Sequence, residues 1–112
     1  MSIMATTDDA EYALRVQAFA RELRRLHREA GEPSLRDLQR SIVDYYRDRR
    51  QTFSGSRSSI SRYLNGKSLP RGAFIDAFLD ALNLSSASNR ARLIALRTAA
   101  REVRDPIDAD FI

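Results

Sequence analysis

The 112-residue sequence contains no cysteine and no tryptophan, and only one histidine and one lysine. The absence of cysteine excludes disulfides, thiolate metal sites and cysteine nucleophiles. With five Phe and four Tyr, the core must consist mainly of Leu, Ile, Val and Ala. The single histidine, His27, has no neighbouring residues of ligand type, so we expect neither a metal site nor a cofactor.

Long apolar runs are also missing. The first residues, MSIMATTDDAEYALR, carry acidic groups where a signal peptide would have a basic start. We therefore expect no signal peptide, no membrane span and a cytoplasmic protein. The length predicts one domain over 1–112, with a core at about 9–104 and flexible terminal residues.

Positive charge is concentrated in the middle of the chain. Residues 21–71 hold thirteen basic and six acidic groups, a net charge of +7, whereas residues 1–20 and 72–112 carry −2 and −1. This distribution is expected if one region faces a polyanion, although a solvated basic surface without a partner would look the same. Arginine also outnumbers lysine eighteen to one. Arginine suits phosphates and guanine edges, but a GC-rich genome gives the same bias.

Apolar residues recur at three- and four-residue steps along five segments, which predicts an all-α fold of five helices. Helix one is expected over about 9–30, after an Asp8 or Asp9 cap and before Gly31. Helix two is expected from a Ser34 cap to a frayed end between Arg47 and Gln51. The predicted core positions of helices one and two are Leu14, Val16, Phe19, Ala20, Leu23, Leu26, Ala30, Leu35, Leu38, Ile42 and either Tyr45 or Tyr46.

The remaining helices have equally local start and stop signals. Helix three is expected from a Ser56 cap to Gly66, and Pro70 fits the first turn of helix four. The SSAS segment predicts the cap of helix five, which is expected over about 89–104. The residues after it are predicted to form a tail that is either mobile or docked by Phe111 and Ile112. The predicted core positions are Ile60, Tyr63, Leu64, Phe74, Ile75, Phe78, Leu79, Leu82, Leu93, Ile94, Leu96, Ala99, Ala100 and Val103.

Helix three, from about Ser56 to Asn65, carries the residue types that a DNA-reading helix needs. Four serines keep it slim and offer hydroxyls to phosphates; they are Ser56, Ser58, Ser59 and Ser61. Arg57 and Arg62 are five residues apart, so their directions differ by about 140° and they can flank a groove-bound helix. The helix N-terminus also favours a nearby phosphate.

The segment SRSSISRYLNGKSLP, preceded by LRRLHREAGEPSLRDLQ, resembles the helix-turn-helix domain of the phage-repressor-like XRE family over about residues 14–84. The resemblance implies a five-helix DNA-binding domain, a transcriptional regulator of bacterial or phage origin that usually acts as a dimer. By motif position it implies that Ser56 caps the helix. It also implies base contacts from Arg57, Ser58 and Arg62, and phosphate contacts from Ser59, Asn65 and Lys67.

The chain departs from the family pattern between its second and third helices. Ser34 and Ser56 are 22 residues apart, about twice the usual spacing, so a lengthened turn is expected at about 43–55. Three basic residues in this segment are expected to contact phosphates, namely Arg47, Arg49 and Arg50. The alternative is that helix two is longer and carries them into solvent.

Two pairs of side chains in the same region have simpler expected roles. One of Tyr45 and Tyr46 should pack in the core while the other is exposed. Asp44 and Asp48 should balance nearby arginines rather than bind a cation.

No nucleophile constellation, phosphate loop or glycine-rich turn is present, so we expect no enzyme activity and no small-molecule substrate. The first hypothesis is a repressor-like regulator that binds double-stranded DNA sequence-specifically at the nucleoid. It would act as a homodimer, joined through helix five or the N-terminal end of helix one. One alternative is a protein-interaction module, either antitoxin-like or a regulatory subunit. The other is a nonspecific nucleoid or plasmid-maintenance DNA binder.

Overall fold

The computed structural model describes residues 2–104, with side chains from Asp8 onwards. These residues form five helices and no strand, which confirms the predicted all-α class. The helices are α1 (Ser2–Glu29), α2 (Leu35–Asp48), α3 (Arg57–Leu64), α4 (Ala73–Ala81) and α5 (Ala87–Arg104). None of the described helices is both long and apolar enough to cross a membrane. The predicted docking residues Phe111 and Ile112 lie outside the described residues.

Serine side chains begin three of the helices, as predicted. The Oγ atom of Ser34 accepts a hydrogen bond from the backbone N–H of Asp37 at 3.1 Å. Ser56 caps α3 and Ser86 caps α5 in the same way, with donor–acceptor distances of 3.3 and 3.0 Å. Each cap satisfies a backbone N–H that the first helical turn leaves without a partner.

Three predicted boundaries were wrong. Helix α1 begins at Ser2, so Asp8 and Asp9 lie inside the helix and do not cap it. Pro70 precedes α4, whose first residue is Ala73. Helix α5 begins at Ala87, two residues before the predicted start. The end of α2 at Asp48 falls within the predicted range of Arg47 to Gln51, although α2 thereby includes residues 43–48 of the predicted lengthened turn.

Apolar side chains from all five helices form one core. Helix α1 packs along α5, α2 packs against α3 and α4, and α3 also contacts α1. The buried residues of this core are Phe19, Leu23, Leu26, Leu38, Ile42, Ile60, Leu64, Phe74, Ile75, Ala77, Phe78, Leu79, Leu82 and Leu93. Val16, Ala20 and Ala100 are also buried, and most of the remaining predicted core positions are half-buried.

Two predicted core residues lie at the surface instead. Leu14 is 71% exposed and Ile94 is 36% exposed. At about 100° per residue, Leu14 lies roughly 160° around the helix from Val16, on the opposite side of α1. Phe19, five residues after Leu14, also lies about 140° around the helix from it. The sequence interpretation therefore assigned Leu14 to the wrong face of α1.

A buried carboxylate ties α1 to α5. Glu22 is only 6% exposed, and it accepts hydrogen bonds from the guanidinium of Arg25, one turn later on α1, with a shortest distance of 2.6 Å. Arg92 of α5 pairs with the same carboxylate at 3.3 Å. The charge of Glu22 is therefore satisfied from both helices, as a buried charge requires.

Candidate nucleic-acid interface

The first turn of α3 presents small polar groups around its N-terminus. Ser56 has extended backbone angles and caps the helix through its hydroxyl. The Oγ atom of Ser59 lies 3.5 Å from that of Ser56, and Arg57 and Ser58 are exposed. Apart from Arg57, the side chains of this turn that surround the cap are serines, which are small enough to let the backbone of α3 approach another molecule closely.

The buried side of α3 fixes the direction of its outer face. Ile60 is fully buried and Leu64 is 8% exposed. Tyr63 is half-buried and meets Phe74 of α4 edge to face, with ring centroids 4.9 Å apart. At about 100° per residue, Ser58 and Arg62 lie within roughly 40° of each other on the side opposite Ile60.

Three basic side chains near α3 have no polar partner in the part of the chain whose side chains are described. Within residues 8–104, no carboxylate or carbonyl lies within hydrogen-bonding distance of the guanidinium groups of Arg57 and Arg62 or the amine of Lys67. All three residues are exposed. Their donors are therefore available to a ligand without the loss of an internal contact.

One of the predicted phosphate-contacting residues, Asn65, is instead occupied by contacts with the last turn of α3. The side-chain amide of Asn65 donates to the carbonyl of Ser61 at 2.9 Å and lies 3.2 Å from its hydroxyl oxygen. The Ser61 hydroxyl keeps its own hydrogen for a ligand. Asn65 must give up its hydrogen bonds before its side chain can donate to a phosphate.

Two side chains of α1 hold the C-terminal end of α3. Arg24 donates to the carbonyl of Leu64, and Gln17 donates to the carbonyls of Asn65 and Gly66 at 3.3 and 3.4 Å. These contacts satisfy carbonyls that the last helical turn leaves without a partner, and the charge of Arg24 complements the helix dipole. The sequence analysis missed both residues. Their only signal is their seven-residue spacing, which puts them on one face of α1.

The connection between α2 and α3 spans residues 49–56 and is anchored by an aromatic side chain. Phe53 is half-buried, with its ring 5.3 Å from that of Tyr46 and 6.3 Å from that of Phe74. Tyr45 and Tyr46 are both half-buried, so the expectation of one buried and one exposed ring was wrong. Burial raises the pKa of the Tyr46 hydroxyl, with a smaller contribution from Tyr45.

The three arginines predicted in this connection differ in position. Arg47 belongs to the last turn of α2 and pairs with Asp44 at 2.8 Å, which corrects its placement in a turn. Arg49 lies over the ring of Tyr45, 3.5 Å from its centroid, and donates to the Tyr45 carbonyl. Arg50 is exposed, has a positive φ of 57° and has no polar side-chain contact among residues 8–104.

The single histidine makes a structural contact in the described region. No group of three or more metal-ligating side chains occurs within residues 8–104. The Nε2 atom of His27 lies 2.8 Å from the carbonyl of Pro33, so the ring joins the end of α1 to the segment before α2.

Comparison with known proteins places the chain in no group. No protein-family model matches the sequence, and neither a curated protein nor a solved structure matches it.

Proposed function

We propose that this chain is a sequence-specific regulator that binds double-stranded DNA, with α3 in the major groove. One observation carries the proposal: α3 directs Ser58 and Arg62 away from its buried side, while Arg57 and Arg62 lack polar partners within residues 8–104. Arginine forks match the O6 and N7 acceptors of guanine, and small hydroxyl side chains let a helix enter the groove.

Phosphate contacts come from the groups around α3 in this proposal. The hydroxyls of Ser56, Ser59 and Ser61 border the helix, while Lys67 and Arg50 are exposed on the connections after and before it. Counterion release by these groups would supply much of the affinity. Arg47, Arg49 and Asn65 already contact other groups, so their proposed phosphate contacts require rearrangement.

Selection of bound sequences from a random duplex pool at physiological salt tests the proposal. We expect an enriched motif with two-fold symmetry, because a dimer reads two copies of one half-site. Arg57→Ala and Arg62→Ala should each cost about 1–3 kcal/mol on the selected site and much less on random DNA. Arg15→Ala is the control, since Arg15 pairs with Glu11 of α1 at 2.9 Å.

The outcomes of this experiment distinguish the remaining functions. Equal losses of affinity on selected and random DNA would show that Arg57 and Arg62 contact only phosphates and do not read bases. Salt-dependent binding without enrichment would favour a nonspecific nucleoid or plasmid-maintenance protein. The absence of DNA binding would favour a protein-interaction module, for which the 71% exposure of Leu14 on α1 offers an apolar contact point.

A further inference from the structure

A second group of arginines lies where the end of α5 meets the connection between α3 and α4. Arg97, Arg101 and Arg104 follow one another at steps of four and three, so they share one face of α5. Together with Arg71 of the connection they line a shallow pocket, which Tyr12 of α1 and Pro70 also border. Four arginines from two separate parts of the chain thus border one pocket.

The four positive charges of this pocket have no anionic partner among residues 8–104. No carboxylate of residues 8–104 forms an ion pair with any of the four arginines. Glu102 is on the same helix but lies about 140° around it from Arg97. The negative end of the α5 dipole offsets part of the repulsion, although it supplies no acceptor for the remaining guanidinium donors.

Arg97 fixes the geometry of the pocket. Its Nε atom donates to the carbonyl of Pro70 at 2.7 Å, which leaves its terminal nitrogens for another acceptor. Burial lowers the pKa of Arg97, and the charge of Arg101 lowers it further. Arg104 lies over the ring of Tyr12, 4.2 Å from its centroid, so it too is oriented by a neighbour. Two of the four side chains are therefore held in place without a ligand.

We propose that the pocket lined by Arg71, Arg97, Arg101 and Arg104 binds a phosphate group. Guanidinium groups donate pairs of parallel hydrogen bonds to phosphate oxygens, and several of them around one pocket can neutralise its charge. The phosphate has two possible sources, a DNA backbone phosphodiester or a free phosphorylated compound. Only the first source rests on the proposed DNA-binding function.

The position of Arg71 connects this pocket to the candidate DNA interface. Arg71 also borders a second pocket, which is lined by Ser54 and Gly55 just before α3 and by Tyr63 within it. Arg71 therefore borders both the pocket beside the start of α3 and the arginine pocket at the end of α5. A DNA strand that passes α3 could place a flanking phosphate on the arginines of α5.

Isothermal titration calorimetry of the full chain with inorganic pyrophosphate tests the pocket itself. The full chain keeps Asp105, Asp108 and Asp110, which follow α5, present as competing carboxylates. Arg71→Gln/Arg101→Gln should weaken pyrophosphate binding by about tenfold or more, because two charge-assisted contacts are lost. Arg28→Gln/Arg40→Gln removes the same charge from exposed positions on α1 and α2 and should leave binding within about twofold of wild type. Thermal melting checks that both variants fold.

A salt series on duplex DNA forms the second arm. If the backbone is the source, Arg71→Gln/Arg101→Gln should lower the slope of log affinity against log salt by about 0.9 per lost phosphate contact. Loss of pyrophosphate binding with an unchanged slope would identify a free phosphate compound instead. If the wild-type chain binds no DNA but the variant loses pyrophosphate, the pocket stands and the DNA-binding proposal fails. The pocket is refuted if the double variant matches wild type in both arms, or if the control variant loses as much.

Discussion

The arginines of this chain fall into three sets according to what their guanidinium groups contact. These contacts affect which guanidinium groups are available to a ligand. One set pairs with carboxylates: Arg15, Arg25, Arg47, Arg90 and Arg92. A second set donates to backbone carbonyls: Arg24, Arg49 and Arg97. The third set has no polar partner within residues 8–104 and includes Arg50, Arg57 and Arg62. The three arginines of the run RDRR at 47–50 therefore differ in what they contact, although their charges look equivalent in the sequence.

The backbone conformation of Arg50 is unfavourable. Its effect on stability can be measured separately from the effect of the Arg50 charge on binding. Its φ of 57° lies in the left-handed region, directly after α2, where the N–H of Gln51 bonds to the carbonyl of Tyr46 at 2.8 Å. Glycine is the usual residue at this position of a helix end. Arg50→Gly should therefore raise the free energy of unfolding by up to about 1 kcal/mol. Urea denaturation of both proteins measures this change.

The same variant tests the proposed phosphate contact of Arg50. If that contact exists, Arg50→Gly should bind DNA more weakly and with a shallower salt slope, despite its greater stability. Arg50→Lys keeps both the charge and the left-handed strain, so its stability and salt slope should stay near wild type. A more stable glycine variant with unchanged DNA binding would remove Arg50 from the interface.

At the scale of the helix, α3 depends on α1 for the position of its C-terminal end. The chain leaves α3 through Gly66, with a φ of 70°, and a Cβ atom there would collide with the side-chain amide of Gln17. This amide is the group that donates to the carbonyls of Asn65 and Gly66. A glycine is therefore needed at position 66 for two reasons, the backbone angle and the close approach of α1.

A pair of glycine substitutions separates these two reasons. Gly31→Ala imposes only the backbone strain, because a Cβ atom at Gly31, with a φ of 92°, meets nothing within 4 Å. Gly66→Ala imposes similar strain and also displaces Gln17, so it should cost about 1 kcal/mol more than Gly31→Ala. In a Gln17→Ala background this extra cost should vanish. Denaturant unfolding of the four variants gives the comparison, and equal losses at both glycines would show that the Gln17 contact contributes nothing to stability.

Sequence patterns predicted the local features of these helices and missed the features that depend on packing. The caps at Ser34, Ser56 and Ser86 were predictable, because a cap involves residues only three positions apart. The end of α2 was also predicted within its range, but the start of the lengthened turn was placed at 43, inside the helix, since an exposed helical turn and a loop have the same polar composition. The α5 arginine pocket was also missed. Arg71 and Arg97 are distant in the sequence, and the segment that contains α5 carries a net negative charge.

The dimensions of the whole molecule limit how it could lie on DNA. Its principal extents are 46 × 29 × 26 Å. One turn of B-DNA is about 34–36 Å long, so in the proposed arrangement two copies on successive turns would need their shorter axes along the duplex. In that arrangement a single copy would present only one short helix, Arg57–Leu64, to the groove and would read only a few base pairs. Two copies on one face of the duplex would double the length of sequence that is read.

The proposed two-fold arrangement therefore predicts a preferred spacing between half-sites. Affinity should be highest when the half-site centres are about 10–10.5 base pairs apart, because α3 of each copy then enters the groove on the same face of the duplex. Insertion of about five base pairs turns the second half-site to the opposite face and should reduce binding to that of a single half-site. Binding curves on duplexes of graded spacing measure this dependence, and sedimentation of the complexes gives the number of chains bound. A duplex with its second half-site scrambled is the matched control. If it binds as tightly as the intact site, a single copy supplies the full affinity and the homodimer is refuted.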